Sequence, residues 1–352
     1  MSGGVDSSVA ALLLLEQGYD VFGVTLRVLP PLAGTYDPEQ DESVLRARAV
    51  AEKLGIEHYV AVCDDAFTDR VLKRCHDDFA IARTPNPCCY CNRFVKFGWM
   101  MDFAQEHGAD FLSTGHYVEV KEVNGVRRLF KGKDCAKDQS YFLFGVPDEA
   151  LARVMTPLGG MEKPDVRALA SKHGFENAST SDSQDICFDI YGDDYTAFLQ
   201  DRFGRMTRPG RFVDESGKVW NTHDGFHKYT VGQRKGLGVA LGVPAFVQSV
   251  NPETGDILVT ADKSAVSATE VRIDNCVWHG INPVTGVAYA AGDTFECEGM
   301  VRYRQRAVRC LVKILEDNCA LAQFAQPLFA VTPGQCAVFY DGDMVVGGGW
   351  IR

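Results

Sequence analysis

The sequence predicts an α/β fold, a parallel-sheet domain followed by two small β modules, and three features predict it. Helix and strand patterns alternate through residues 1–115, the rhythm of βαβ units. A glycine-rich stretch, Ser2-Gly3-Gly4-Val5-Asp6-Ser7-Ser8, leads straight into a helix. After about Phe198 the texture changes to short apolar runs broken every few residues by Gly, Pro and Asn.

Taken in order, residues 7–18 read as a helix with Ser and Asp at its start and Gly18 as its stop. Residues 19–28 are a β-branched, aromatic strand, 42–54 a second helix, 58–62 a strand and 65–80 a third helix. A fourth helix over 92–107 precedes a strand over 110–113. Later strand-like runs cover 211–213, 245–250, 256–259, 295–303, 308–314 and 335–340. Boundaries are expected near residues 198 and 268, giving a parallel-sheet domain at 1–198, a central β-rich module at 199–268 and a last module at 269–352.

The 352 residues exceed one ordinary core at ~100–200 residues per domain. With 46% hydrophobic and 24% charged residues the composition is globular rather than disordered. No apolar run approaches the ~20 residues that span a bilayer, and residues 9–15 lack the basic flank of a signal peptide. The expectation is a cytoplasmic protein whose 12 cysteines are thiols or metal ligands rather than disulfides. A net charge of −11 argues against nonspecific coating of nucleic acid. Local basic clusters remain, around Arg127, Arg128 and Lys131, Arg202 to Arg211, Lys228 to Lys235, and Arg302 to Arg309. Each alone reads as a solvated face.

The glycines of Ser2 to Ser8 let backbone approach an anion, and a helix N-terminus favours phosphate. Ser7 and Ser8 add hydroxyls, and Asp6 can orient a magnesium ion or the loop. With no Gly-Lys-Ser/Thr ending, the stretch suits gripping a pyrophosphate leaving group rather than transferring a γ-phosphoryl. Further on, Thr84-Pro85-Asn86-Pro87-Cys88-Cys89-Tyr90-Cys91-Asn92 reads as a stiff, exposed loop before a helix opening at Asn92, whose dipole would favour a thiolate. Ser183-Gln184-Asp185-Ile186-Cys187-Phe188 sets one more cysteine in a polar, loop-like context. Arg302-Tyr303-Arg304-Gln305-Arg306, as a strand, would put Arg302, Arg304 and Arg306 on one face ~6.8 Å apart, a ladder suited to a phosphate backbone.

Ser2 to Ser8 resembles the PP-loop of the ATP pyrophosphatase superfamily. With TPNP and CN at residues 84–92, TGHY at 114–117, KDQSYFL at 137–143 and PLGG at 157–160, the chain is similar to the bacterial and organellar tRNA 2-thiouridylases. The likeness continues through DSQDICF at 182–188, TVGQRKGLG at 230–238, RYRQ at 302–305, TPGQ at 332–335 and GGG at 347–349. It implies a PP-loop domain first and a β-barrel last. In that superfamily an apolar strand precedes the loop, and here the chain starts at Met1 inside the motif, so that strand is expected to be missing.

The resemblance implies that ATP, with magnesium, lies on Met1, Ser2, Gly3, Gly4, Val5, Asp6 and Ser7, with Leu26 and Gly115 near adenine and ribose. It implies that Asn86, Pro87, Cys88, His116, Lys137, Asp138, Gln139, Arg302, Tyr303 and Gln335 meet tRNA at the anticodon arm. The family substrates are the lysine, glutamate and glutamine tRNAs, thiolated at the wobble uridine. Cys187 would carry sulfur as a persulfide supplied by a donor such as a cysteine desulfurase or a sulfur-relay protein, and Cys91 would release it as a Cys91–Cys187 disulfide. Cys88 replaces an Asp common in the family, proposed there as acid/base. Cys88, Cys91 and Cys187 could instead ligate an iron–sulfur cluster with one open iron, or a structural zinc. The sequence leaves these routes open. The rival readings are a non-catalytic tRNA- or cluster-binding paralogue, a small-molecule PP-loop synthetase, and a redox protein using Cys88 and Cys91.

Overall fold

The computed structural model describes residues 1–29, 37, 40–179, 195–282 and 285–352. By its contacts the chain falls into two compact units. Met1–Val71, Cys88–Phe188 and Asp343–Val345 form the first; Leu72–Pro87, Asp189–Gly342 and Val346–Arg352 form the second.

The chain opens with helix α1 (Val5–Glu16), strand β1 (Gly23–Arg27), helix α2 (Glu42–Leu54) and strand β2 (His58–Val62). α2 matches the predicted range because both ends are written locally. The Asp41 carboxylate accepts from Ser43 N and Val44 N, and Gly55 ends the helix at φ +70°. β1 is shorter than the predicted 19–28: Tyr19 N donates back to Leu14 O and Gly18 N to Leu15 O, so the chain is still closing α1 there. β1 and β2 pair in parallel from Gly23↔His58 to Arg27↔Val62.

The predicted third helix is α3 (Asp64–Phe67), a π-helical turn at Thr68–Leu72, and α4 (Lys73–Ala80). The predicted fourth helix starts earlier than 92. Helix α5 (Pro87–Cys91) continues through a π-helical stretch, Asn92–Trp99, into α6 (Met100–Glu106). Proline suits a first helical position, where its missing N–H leaves nothing orphaned. Pro87 therefore begins the helix, and the cysteines lie in its first turn rather than on a loop before it.

Strand β3 (Leu112–Ser113) is followed by a hairpin of β4 (Val118–Val123) and β5 (Val126–Lys131). Asn124 and Gly125 turn it at φ +52° and +77°; this Asn-Gly hairpin signal is absent from the sequence reading. Helices α7 (Ser140–Leu143) and α8 (Asp148–Leu151) lead to β6 (Val154–Met155), parallel to β3, and then to α9 (Lys163–Lys172). The core between α1 and α9 holds Val5, Val9, Tyr117, Leu158, Val166 and Ala170. Packing Tyr117 into it brings the 114–117 stretch beside the start of α1.

In the second unit α10 (Tyr195–Phe203) precedes β7 (Gly210–Val213), β8 (Val219–His223), β9 (Phe246–Val250) and β10 (Ile257–Thr260). These strands form a sheet of order β8-β7-β10-β9 over a core of Phe212, Phe226, Val247, Ile257 and Val259.

The remaining strands are β11 (Ser267–Trp278), β12 (Thr294–Met300), β13 (Val308–Ile314), β14 (Ala320–Phe329), β15 (Cys336–Asp341) and β16 (Met344–Ile351). They run in order β11-β14-β13-β12-β15-β16 and close through β11·β16 into the expected barrel. The closing seam explains the final glycines. A Cβ on Gly347 would lie 2.3 Å from Val277 O, and one on Gly349 2.7 Å from Asp274 O.

One expectation fails here. Arg302 to Arg306 are not a strand but part of the β12–β13 connection, whose last pair is Gly299↔Val308. Gln305 N donates to Arg302 O at 3.1 Å and Arg304 sits at φ +62°. Antiparallel neighbours must turn between Gly299 and Val308, and the charged run keeps its hydration in that turn. The one-face arginine ladder is therefore lost, although Arg302, Arg304 and Arg306 are all exposed.

Candidate active site

The glycine-rich stretch folds as an anion cradle at the head of α1. Gly3 adopts φ +71° with room for no side chain, since a Cβ would meet Ser43 O at 2.7 Å. Gly4 is the N-cap and offers no side chain to satisfy the first N–H groups of α1. Ser7 and Ser8 hydroxyls donate to Gly4 O at 3.1 and 3.0 Å, and Ser2 N donates to Ser7 Oγ at 3.1 Å. Asn177 ties the cradle from beneath, donating to Gly3 O at 2.9 Å and Ser8 Oγ at 3.0 Å.

Asp6 is gripped from two sides. Lys163 Nζ lies 2.7 and 2.8 Å from its two oxygens, and the Tyr117 hydroxyl donates to Oδ1 at 2.8 Å. These contacts take three of the about four lone-pair sites of a carboxylate, which leaves an oxygen donor suited to magnesium. Gly115 packs directly on the loop: a Cβ there would lie 2.7 Å from Asp6 C and 2.8 Å from Ser7 N. Leu26 lies in β1, half-buried, and Met1 beside it accepts from Thr25 Oγ1 through its carbonyl at 2.7 Å.

Sequence reasoning missed Lys163 and Asn177, because both reach the loop from the far side of the fold. Lys163 carried a signal all the same. A cation in the first turn of a helix opposes the helix dipole, so some other group had to hold it there.

The segment 137–143 joins the cradle to the cysteine helix. Gln139 Oε1 accepts from Tyr117 N at 2.9 Å. Asp138 accepts from Gly132 N, Ser140 N and the Ser140 hydroxyl at 2.9, 3.1 and 2.8 Å, so its carboxylate shapes this loop. Two residues on, Tyr141 O accepts from Cys89 Sγ at 3.9 Å and Phe142 O from Asn92 Nδ2 at 3.1 Å. Lys137 is half-buried on the same segment.

Cys89 and Cys91 are buried, contrary to the exposed loop expected, because the helical first turn folds them inward. Cys88 keeps an open face to solvent, and that face governs its reactivity. The surrounding chain still desolvates its thiol and pushes its pKa up, against the pull of Lys96. The lowered thiol expected at a helix start is thus not found at Cys88. His116 is hydrogen-bonded through Nδ1 to Thr114 Oγ1 at 2.8 Å, and burial, with Lys96 nearby, holds it well below the ordinary imidazole range. It is neutral at pH 7. Cys187 and the 182–188 motif lie outside the described residues. Among the described residues no three His, Cys, Asp or Glu side chains converge on a metal position.

In the second unit Asn86 and Pro87 are buried, and Gln335 donates to Thr84 O at 3.0 Å and Pro85 O at 3.2 Å. Arg302 is exposed and Tyr303 half-buried in the β12–β13 turn. Of the basic clusters, Arg128 is paired with Asp148 at 2.9 Å and Arg211 with Asp256 at 2.6 Å. Arg205 and Arg208 line an open cleft of 310 Å³ with Met206 and Phe226. Arg234 and Lys235 are exposed on a loop that Gln233 closes by accepting from Thr230 N at 3.0 Å.

Residues 1–190 match the family described as tRNA methyl transferase HUP domain. Residues 196–261 match the tRNA methyl transferase PRC-barrel domain, and 268–351 the aminomethyltransferase beta-barrel domain. The chain is 42% identical to the tRNA-specific 2-thiouridylase MnmA of Geobacter metallireducens, over 100% of this chain and 95% of that protein. It is 40% identical to the protein of that name from Geotalea uraniireducens, over 100% and 93%. For Heliobacterium modesticaldum the identity is 42%, over 100% and 91%. With identity at this level over the whole chain, and an anion cradle held to a cysteine-bearing helix in one unit, this chain belongs to the tRNA-specific 2-thiouridylase family.

Proposed function

We propose that this chain is a tRNA 2-thiouridylase, which replaces the C2 oxygen of a wobble uridine with sulfur at the expense of ATP. One observation carries the reading beyond family membership. The segment 137–143 holds both the cradle, through Gln139 and Tyr117, and the cysteine helix, through Tyr141 and Phe142. The glycine-rich cradle and the cysteine helix are thereby tied to one segment of one unit, which supports reading them as one site.

The cradle of Ser2 to Ser8 and the free N–H groups of α1 bind the phosphates of ATP. Asp6 would hold a magnesium ion beside the phosphates, and that ion would supply charge neutralisation for the leaving pyrophosphate. Gly115 permits the loop its close approach, and Lys163 holds Asp6 in place. The uridine C2 oxygen attacks the α-phosphorus, pyrophosphate departs, and the base becomes adenylated. The terminal sulfur of a Cys187 persulfide, loaded by a cysteine desulfurase or relay protein, then attacks C2. Cys91 thiolate attacks the Cys187 sulfur and breaks the S–S bond. A Cys91–Cys187 disulfide forms, AMP leaves C2, and the sulfur stays on the base.

Neutral His116, with Asn86, Pro87, Lys137 and the exposed Arg302, would meet the anticodon arm of the lysine, glutamate and glutamine tRNAs. The target base must leave its stack to be reached. No helix among the described residues is long and apolar enough to cross a membrane, and the cytoplasm, where tRNA is, is the proposed location.

The test is tRNA-dependent pyrophosphate release from ATP, followed by mass analysis of the nucleosides. Cys187→Ser should retain pyrophosphate release and lose 2-thiouridine. Loss of both would make Cys187 a structural residue and count against this sequence of steps.

A further inference from the structure

Within the first unit, residues 114–117 touch both the glycine-rich cradle and the cysteine helix. Gly115 packs on the cradle, where a Cβ would lie 2.7 Å from Asp6 C and 2.8 Å from Ser7 N. The Tyr117 hydroxyl donates to Asp6 Oδ1 at 2.8 Å. Between these two residues, the His116 ring stands 5.8 Å from the ring of Phe97, on the π-helical continuation of the cysteine helix. The imidazole is thus tied to both.

Its two nitrogens differ. Nδ1 meets Thr114 Oγ1 at 2.8 Å, and Nε2 has no hydrogen bond among the described residues. With Nδ1–H donating to Thr114, Nε2 keeps its lone pair. Burial, then the charge of Lys96, keeps the ring neutral at pH 7. The same lysine acts on the Cys88 thiol, so His116 and Cys88 lie within electrostatic reach of one cation.

The thiolation steps above need a base. Once uridine O2 is adenylated, N3–H becomes strongly acidic and its proton must go elsewhere. Position 88, where the family often has Asp, holds a thiol here and supplies no carboxylate. Asp6 is engaged by Lys163 and Tyr117, and Asp138 by Gly132 and Ser140.

We propose that His116 is a catalytic residue that carries the N3 proton of the target uridine through thiolation. This rests on the thiouridylase reading above and deepens it. As O2 attacks the α-phosphorus, the O–P bond forms and the bond to pyrophosphate breaks. Nε2 takes the N3 proton, and the electron pair left on N3 forms the N3=C2 double bond. When sulfur attacks C2, that pair returns to N3 and the imidazolium gives the proton back. AMP then leaves, C2=S forms, and the ring ends neutral as it began. A ring held below the ordinary imidazole range returns its proton readily.

The experiment uses the full chain with ATP, magnesium and an unmodified lysine tRNA transcript. His116→Gln keeps a polar group near the place of Nε2 but carries no proton, and His116→Ala opens a space for free imidazole. At saturating ATP and tRNA, the Gln variant should release pyrophosphate about 10²–10⁴-fold more slowly. Its Kd values for ATP and tRNA should stay within about twofold, the mark of an interaction made only in the transition state. Added imidazole should speed His116→Ala by about tenfold or more and leave the unaltered chain as it was. A weaker tRNA Kd with no rescue by imidazole would make His116 a binding contact and overturn the proposal. A lowered urea midpoint with no rescue would reduce it to support of the fold. Full-rate pyrophosphate release from His116→Gln, beside an active unaltered chain, would overturn the proposal and leave the functional reading standing. No tRNA-dependent pyrophosphate from the unaltered chain would remove that reading, and the proposal with it.

Discussion

The Lys163 ammonium spans both oxygens of Asp6, at 2.7 and 2.8 Å, joining residues 157 apart in the chain. The lysine is nearly buried, with 8% of its side chain exposed, while the aspartate keeps 31%. The pair stands at the mouth of the cradle and sets where the carboxylate points.

Lys163→Ala leaves Asp6 without its main partner. Full loss of a buried ion-pair partner costs ~3–5 kcal/mol, but the exposure of Asp6 screens part of this, so ~1–3 kcal/mol is expected. Urea denaturation measures it. ATP affinity should fall in parallel, and an unaltered ATP Kd would show that Lys163 serves the fold alone.

Gly115→Ala pushes a methyl group into the Asp6 and Ser7 backbone, which has no flexible end to move aside. A destabilisation of ~1–3 kcal/mol is expected from overpacking, with loss of ATP binding larger than for a substitution elsewhere on the sheet. Isothermal titration with ATP checks it.

Part of the pH dependence follows from two histidines held neutral, His116 and His58. Burial lowers His116 well below its ordinary value, and at His58 burial, then the Met1 amino group and Arg48, lowers it to about 4. Thr25 donates to Met1 O, so His58 Nε2 must donate to Thr25 across 2.8 Å, as a neutral ring does. Both folded pKa values lie below the unfolded ~6.5, so below that pH the unfolded chain binds more protons. The contribution of each of these histidines should be fully present above pH ~6.5 and be lost as pH falls, by at most ~1.4 kcal/mol per pH unit. His58→Gln should flatten the slope of unfolding free energy between pH 6.5 and 4.5. An unchanged slope would contradict the assignment.

Cys91 and Cys88 should separate under mutation. Cys91→Ser is expected to abolish thiolation, because nothing else would cleave the persulfide. Cys88→Ser should leave the rate within about threefold, since its exposed thiol takes no part in the two-cysteine exchange. Equal loss in both variants, with iron bound to the unaltered chain, would favour a cluster held by Cys88, Cys91 and Cys187.

Arg302→Ala should weaken tRNA binding and reduce the log–log salt slope by about one, for one phosphate contact removed. The effect should belong to a turn, so Arg304 and Arg306 need not share it as a strand face would require.

How much could be read beforehand depended on where the determining contacts lay. Helix Glu42–Leu54 was legible to the residue because Asp41 and Gly55 are adjacent to its ends. The cradle was legible because its glycines and serines are contiguous. Lys163, Asn177 and Gln335 were not placed, since each acts on a loop more than 150 residues away. The run 302–306 misled because an arginine repeat looks alike in a strand and in a turn, and only the Gly299↔Val308 pairing decides between them. The cysteine helix is hard to read from sequence because prolines favour loops, while Pro87 occupies the first helical position, which suits proline.

The most direct test of the central claim is anaerobic thiolation of an unmodified lysine tRNA transcript with ATP, magnesium and a persulfide-loaded cysteine desulfurase. The account predicts 2-thiouridine at the wobble position, with AMP and pyrophosphate formed in equal amounts, from protein free of iron. No 2-thiouridine from any sulfur source, while tRNA still binds, would contradict it and make the chain a tRNA-binding relative without the reaction.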